Sequence, residues 1–189
     1  MPKIFADGEA QDYDRLRKVL SLHHSRLIEV SARVSITFVR AFDKDDEPIP
    51  SLKFAGANAV ALVKLVSPER KLRIPFDAEI KIDGYLWDEL TELSKDALID
   101  HELNHLQVKT DANGVPILDD QNNAKLKLVP DDFVLTGFFN VIRHYGENAN
   151  EYQSVSRITE SVSQALESAA QVFTEIVRGE THEAVEAAA

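Results

Sequence analysis

The stretch His101-Glu102-Leu103-Asn104-His105 constrains this chain more than any other. Its two histidines stand four apart, so they can act on one target only if the segment is an α-helix. In a helix, residues i and i+4 lie on one face about a turn apart, and two imidazoles can reach a single ion. Zn²⁺ takes neutral imidazole nitrogen at about 2.0–2.1 Å. Glu102 then projects beside the ion. It can accept a proton from a water whose pKa the ion lowers to about 7, and pass that proton to a leaving amine. A chance match on a helix is the alternative reading. Context favours the metal, because four of the six histidines lie elsewhere and general histidine richness does not explain the pair.

The flanking segments predict where this helix sits. Ser94 suits an N-cap and Asp96 suits the first turn of a helix running through Val108, with the motif in its middle. Residues 76–83 alternate: Phe76, Ala78, Ile80 and Ile82 share one parity, and Asp77, Glu79, Lys81 and Asp83 the other. Period two predicts a half-exposed strand at a sheet edge. Such an edge can pair with an extended peptide. Gly84 ends it, and residues 85–93 read as a short helix. Earlier, an apolar stripe of Tyr13, Leu16, Val19 and Leu20 predicts an amphipathic helix over residues 10–24. The β-branched and aromatic run 34–42 predicts a strand, and residues 43–50 a turn with two prolines. Residues 57–66 fit a strand or a buried helical turn.

A catalytic zinc usually has three protein ligands and one open position. A histidine at 111 would complete a longer motif, but Asp111 stands there. Beyond it, residues 115–118 and 124–129 read as a hairpin. Pro130, Asp131 and Asp132 then open a helix that ends near Gly146. Asp131, Asp132 and His144 are the candidates for the third ligand, with Glu147 behind them. The competing roles are an N-cap for the two aspartates and a favourable last-turn cation for His144. His23 and His24 are adjacent and would point about 100° apart on a helix, which suits surface or core histidines better than a site. Tyr145 can polarise a carbonyl, though a tyrosine there more often packs at a helix end.

Composition narrows the partners. With 21 basic against 32 acidic residues, the net charge of −11 argues against nucleic-acid binding through the whole surface. Arg70, Lys71 and Arg73 form the best local basic patch. The chain has no cysteine, which removes disulfides, thiolate ligands and a cysteine nucleophile. The N-terminal MPKIFADGEA lacks a signal-peptide pattern, and no apolar run approaches the roughly 18 residues of a membrane span. The absence of cysteine fits a cytoplasmic protein.

From residue 150 onward the pattern changes. Val155, Ile158, Val162, Ala165, Ala169, Val172 and Ile176 recur at steps of three and four. That seam predicts a long helix, roughly 40 Å, which either docks along the core or pairs with a second copy. The division expected is a domain over 1–149 and an amphipathic helix with a frayed tail over 150–189.

The run DGYLWDELTELSKDALIDHELNHLQV, followed by KLKLVPDDFVLTGFFNVIRHYG, resembles the phage metallopeptidase family. Trp87, Ala97, Leu98, His101, Glu102, Leu103, His105, Val141, Ile142, Arg143, Tyr145 and Gly146 carry the likeness, which covers roughly residues 10 to 147. It implies a zincin-like protein of a phage or prophage, working in the bacterial cytoplasm. A His-Asp pair opens the family's helix after the hairpin, and Asp131-Asp132 stands there instead. The likeness therefore places Asp131, as a carboxylate, in the third-ligand position. The fold expected is α+β: a small zincin-like core with a mixed or antiparallel sheet and the motif helix, plus the C-terminal helix. The function expected is a zinc-dependent peptidase with Glu102 as general base and a peptide or protein substrate. The alternative is a structural, assembly or regulatory protein on the same scaffold, with zinc kept for stability and the last helix used to oligomerise.

Overall fold

A computed structural model describes residues 3–131 and 138–150, together with Tyr152, Ser156, Glu160, Ser163, Gln164 and Glu167, which are helical. The chain divides into two compact units, residues 1–151 and 152–189. The expected seam from residue 155 to 176 falls outside the described residues.

The first unit is α+β around a mixed sheet. Strand β1 (Lys3–Asp7), helix α1 (Ala10–His23), helix α2 (Ser25–Glu29) and strand β2 (Val34–Phe42) come first. Short strands β3 (Pro48–Ile49), β4 (Lys53–Phe54) and β5 (Ala57–Asn58) follow, then β6 (Ala61–Leu65), helix α3 (Pro68–Lys71) and strand β7 (Ala78–Asp83). Helices α4 (Gly84–Asp88) and α5 (Glu92–Asn104) lead into a small hairpin, β8 (Leu106–Val108) with β9 (Leu126–Leu128), and then α6 (Phe139–Tyr145). The main sheet runs β1-β2-β7-β6, with β2 and β7 parallel and the other two pairings antiparallel. Helix α1 agrees with the apolar stripe, and β2 with its β-branched run. No helix among the described residues is long and apolar enough to cross a membrane.

One core explains the arrangement. The register pairs Val34 with Ala78, Ile36 with Ile80 and Phe38 with Ile82, so one face of β2 and β7 is continuously apolar. Leu16 and Val19 of α1 and Leu98, Ile99 and Leu103 of α5 join that same cluster, as do Trp87, Leu106 and Leu126. Ile99 and Leu103 are fully buried, and they stand four apart on α5. The core therefore holds the helix that bears the motif by the face turned away from it.

The alternating strand is not an edge. β7 lies between β2 and β6, and both parities are buried. Its buried acids tolerate this because each meets donors. Asp83 accepts from Oγ of Ser51 at 2.9 Å and from the backbone amides of Ser51 and Leu52, and it caps α4 through Tyr85 N and Leu86 N. Glu79 accepts from Thr37 at 2.8 Å. Just before the strand, Asp77 binds Arg33 through backbone and side chain and takes Lys71 Nζ at 2.8 Å. Period two reports two distinct faces. It does not report that the polar one is wet when loops bring donors over it.

Asp77 makes the fold acid-sensitive. Burial alone would raise its carboxyl, but Arg33 and Lys71 outweigh that and hold it below the ordinary value. A depressed folded-state pKa stabilises the protein above the unfolded value of about 3.9, and the gain is lost as pH falls through the folded one. Asp77→Ala should cost about 3 kcal/mol at pH 7, since it strips Arg33 of its carboxylate and leaves the half-buried Lys71 only the longer 3.7 Å contact to Asp119. Urea unfolding at pH 7 and pH 3 checks this: the gap between wild type and variant should shrink in acid.

Candidate metal centre

The motif helix differs from expectation at both ends. Thr91, not Ser94, caps α5, its hydroxyl accepting from Ser94 N at 3.2 Å. The helix ends at Asn104, with His105 as a helical C-cap, so the motif occupies the last turn and not the middle. Leu106–Val108 leaves as a strand, with Leu106 buried and Gln107 exposed. Three residues of Leu-Gln-Val satisfy either period, and pairing with Leu126–Leu128 decides the matter.

That pairing assembles the site. Leu106 opposes Leu128, which sets Val129 against His105. Val129 N donates to the His105 carbonyl at 2.9 Å, and Val129 O takes the His105 Nδ1 proton at 2.7 Å. A carbonyl can only accept, so the neutral ring carries its proton on Nδ1 and its lone pair on Nε2. Two residues after Val129 comes Asp131. The hairpin thus delivers a carboxylate from far along the chain to the end of α5.

His101 Nε2 and His105 Nε2 lie 3.2 Å apart, and Asp131 Oδ1 is 3.8 Å from each. Donors about 2.1 Å from a tetrahedral Zn²⁺ would be separated by about 3.4 Å. The triangle is therefore close to the size such an ion needs. Asp131 Oδ1 is buried and has no hydrogen-bond partner, a costly state for a carboxylate oxygen and one that a cation relieves. Two neutral imidazoles and a carboxylate are borderline to hard donors, which suits a divalent first-row ion. Glu102 is buried beside them on α5. The Phe138 ring meets both imidazoles edge to face, at 5.2 Å from His101 and 4.8 Å from His105.

Helix α6 starts at Phe139 with Phe138 as its N-cap, so Asp131, which lies in no helix or strand, does not cap α6. Asp132 lies outside the described residues. His144 goes elsewhere: its Nδ1 meets Asp100 Oδ2 at 3.1 Å. Glu147 is exposed in a 3-10 turn and is absent from both metal-capable groupings among the described residues.

Asp100 was not singled out from the sequence, yet it organises a second cluster. It is fully buried and takes His24 Nε2 at 2.6 Å on its other oxygen. Burial pushes its carboxyl up, but the His24 and His144 hydrogen bonds hold it below the usual range. His23 stacks on His144 with centroids 3.8 Å apart and planes 10° from parallel. Burial lowers the His23 pKa, which favours its neutral form in that stack. Parallel rings keep their lone pairs in separate planes, so His23 and His144 do not converge on one ion as they stand. Tyr145 packs edge-on to both rings, and burial pushes its phenol up, in line with a packing role. A cavity of about 320 Å³ borders this cluster, between His23–Leu27 and Leu106–Val108, and does not include the His101 triangle. The histidines at 23, 24 and 144 were the available signal, but nothing in their spacing pointed to one aspartate.

No curated protein and no solved structure matches the chain. One family model does, that described as Putative phage metallopeptidase, over residues 51–164. The match covers more than half of the chain and includes the motif, Trp87, Asp131 and α6. It starts well after the residue 10 suggested by the resemblance and runs past Gly146. The chain belongs to the phage metallopeptidase family.

Proposed function

We propose that this protein is a zinc-dependent peptidase with a zincin-like core, in which His101, His105 and Asp131 hold the ion and Glu102 is the general base. The observation that carries the reading is the triangle of two Nε2 atoms and a buried, unpartnered carboxylate oxygen, about the size of a tetrahedral site. The family name supports peptide hydrolysis. Bound zinc would supply acidification of a water and polarisation of a carbonyl. The chain's own part follows from its residues. Val129 fixes the His105 tautomer and ring. Phe138 screens the imidazoles from solvent on one side. Glu102 takes the proton of the attacking water and returns it to the leaving amine. An extended substrate would lie along β6, the end strand of the sheet next to α5, since β7 is central.

The test is zinc content and hydrolysis together. Protein purified without added metal should carry about one zinc per chain and cleave an unstructured peptide until a chelator is added. No transition metal and no uptake on titration would end the reading. Bound zinc without any hydrolysis would favour the structural alternative. The third ligand has its own test: Asp131→Ala should weaken zinc binding by more than Asp132→Ala does. Equal affinities in a chelator competition would return Asp131 to an ordinary loop role.

A further inference from the structure

Asp100 and Asn104 each precede a motif histidine by one residue. They form a second i, i+4 pair on α5, turned about 100° from His101 and His105. That second face is fully engaged. Asn104 Nδ2 donates to the Asp100 carbonyl at 2.7 Å and to its carboxylate at 3.2 Å. Asn104 Oδ1 accepts from Asn140 Nδ2 at 2.8 Å, in the first turn of α6. Asp100 accepts from His144 in the last turn of α6, and from His24 at the junction of α1 and α2. Helix α6 is therefore fastened to the motif helix at both ends by the residues that alternate with the histidines. Below the polar fastenings, Ala97 packs with Phe138 and Val141.

We propose that Asp100 and Asn104 are positioning residues for the metal centre: by fastening α6 through His144 and Asn140 they hold Phe138 against the rings of His101 and His105. This rests on the metal reading above. The physical reason is ring freedom. An imidazole on a helix end can rotate about its side-chain bonds, and binding an ion must stop that rotation. A phenyl wall edge-on to both rings stops it beforehand, so affinity depends on a helix that donates no ligand. The six-residue stretch from Asp100 to His105 then has two jobs on two faces, one for the ion and one for the helix that covers it.

The experiment measures zinc affinity of the full chain by chelator competition, and the visible absorption of the Co²⁺-substituted protein, which reports ligand geometry. His144→Ala and Asn140→Ala should each weaken zinc about tenfold and alter the Co²⁺ bands. His144→Asn should restore most of the loss, because an asparagine amide sits where the imidazole Nδ1 was and can donate to Asp100, while being a poor zinc ligand itself. Arg40→Ala, which breaks an exposed pair with Asp88, should change neither. If a helix variant fails to fold by circular dichroism, Phe138→Leu keeps an apolar side chain at this position while removing the ring, and should give the same tenfold loss. Folded variants at Asn140, His144 and Phe138 with wild-type affinity and spectra would overturn the proposal. A wild-type chain that takes up neither metal gives a different signature: it overturns the metal reading, and this inference with it.

Discussion

Glu102→Gln should leave zinc content and fold unchanged while lowering peptide hydrolysis by about 10³-fold, within the range that one general base contributes. Glutamine matches glutamate in size, so the buried space beside His101 is filled in the same way. It is also neutral, so burying it is no harder. What it lacks is an oxygen that can accept a proton from water at neutral pH. Substrate affinity should change little, which places the loss in turnover and not in KM. Steady-state kinetics on a fluorogenic peptide, with zinc measured on the same sample, separates the two effects. Undiminished turnover with zinc bound would remove Glu102 from the chemistry. Loss of zinc along with activity would mean that the carboxylate acts through the ion's binding instead.

Some of this molecule was legible in the chain, and the pattern of successes is physical. Residues whose signal is local were readable. The i, i+4 histidines predict their own geometry, the Tyr13–Leu20 stripe predicts α1, and the β-branched run predicts β2. The failures occur where a distant segment decides. Whether Leu106 to Val108 continues a helix depends on Leu126 to Leu128, which lie well along the chain. Whether β7 is an edge depends on β6, and whether its acids are dry depends on Ser51, Arg33 and Lys71 arriving from three different places. The residues alone left Asp131 one candidate beside Asp132 and His144, and the family likeness favoured it, because a hairpin and not a helical spacing carries it to the histidines. Asp100 was missed for a related reason: its partners, His24 and His144, are separated from it by 76 and 44 positions.

His101→Ala and His105→Ala should each reduce zinc in the purified protein to background, a loss of affinity larger than the 10–100-fold that supporting residues control. Each removes one of three donor atoms, and among the described residues no other histidine is placed to substitute, since His23, His24 and His144 gather around Asp100. The two variants should still differ without metal. His101→Ala deletes a ring that packs on Phe138. His105→Ala deletes such a ring too, and also the Nδ1 donor that satisfies the Val129 carbonyl, leaving the end of the β8–β9 hairpin held by one main-chain bond where there were two interactions. The metal-free His105 variant should therefore melt below the metal-free His101 variant. Added zinc raises the midpoint of wild type by mass action, since only the folded chain presents all three donors, and it should raise neither variant. Thermal unfolding with excess chelator and then with excess zinc gives both comparisons. A zinc-induced shift that survives in either variant would show that the ion binds elsewhere, and equal metal-free midpoints would show that Val129 does not depend on the imidazole.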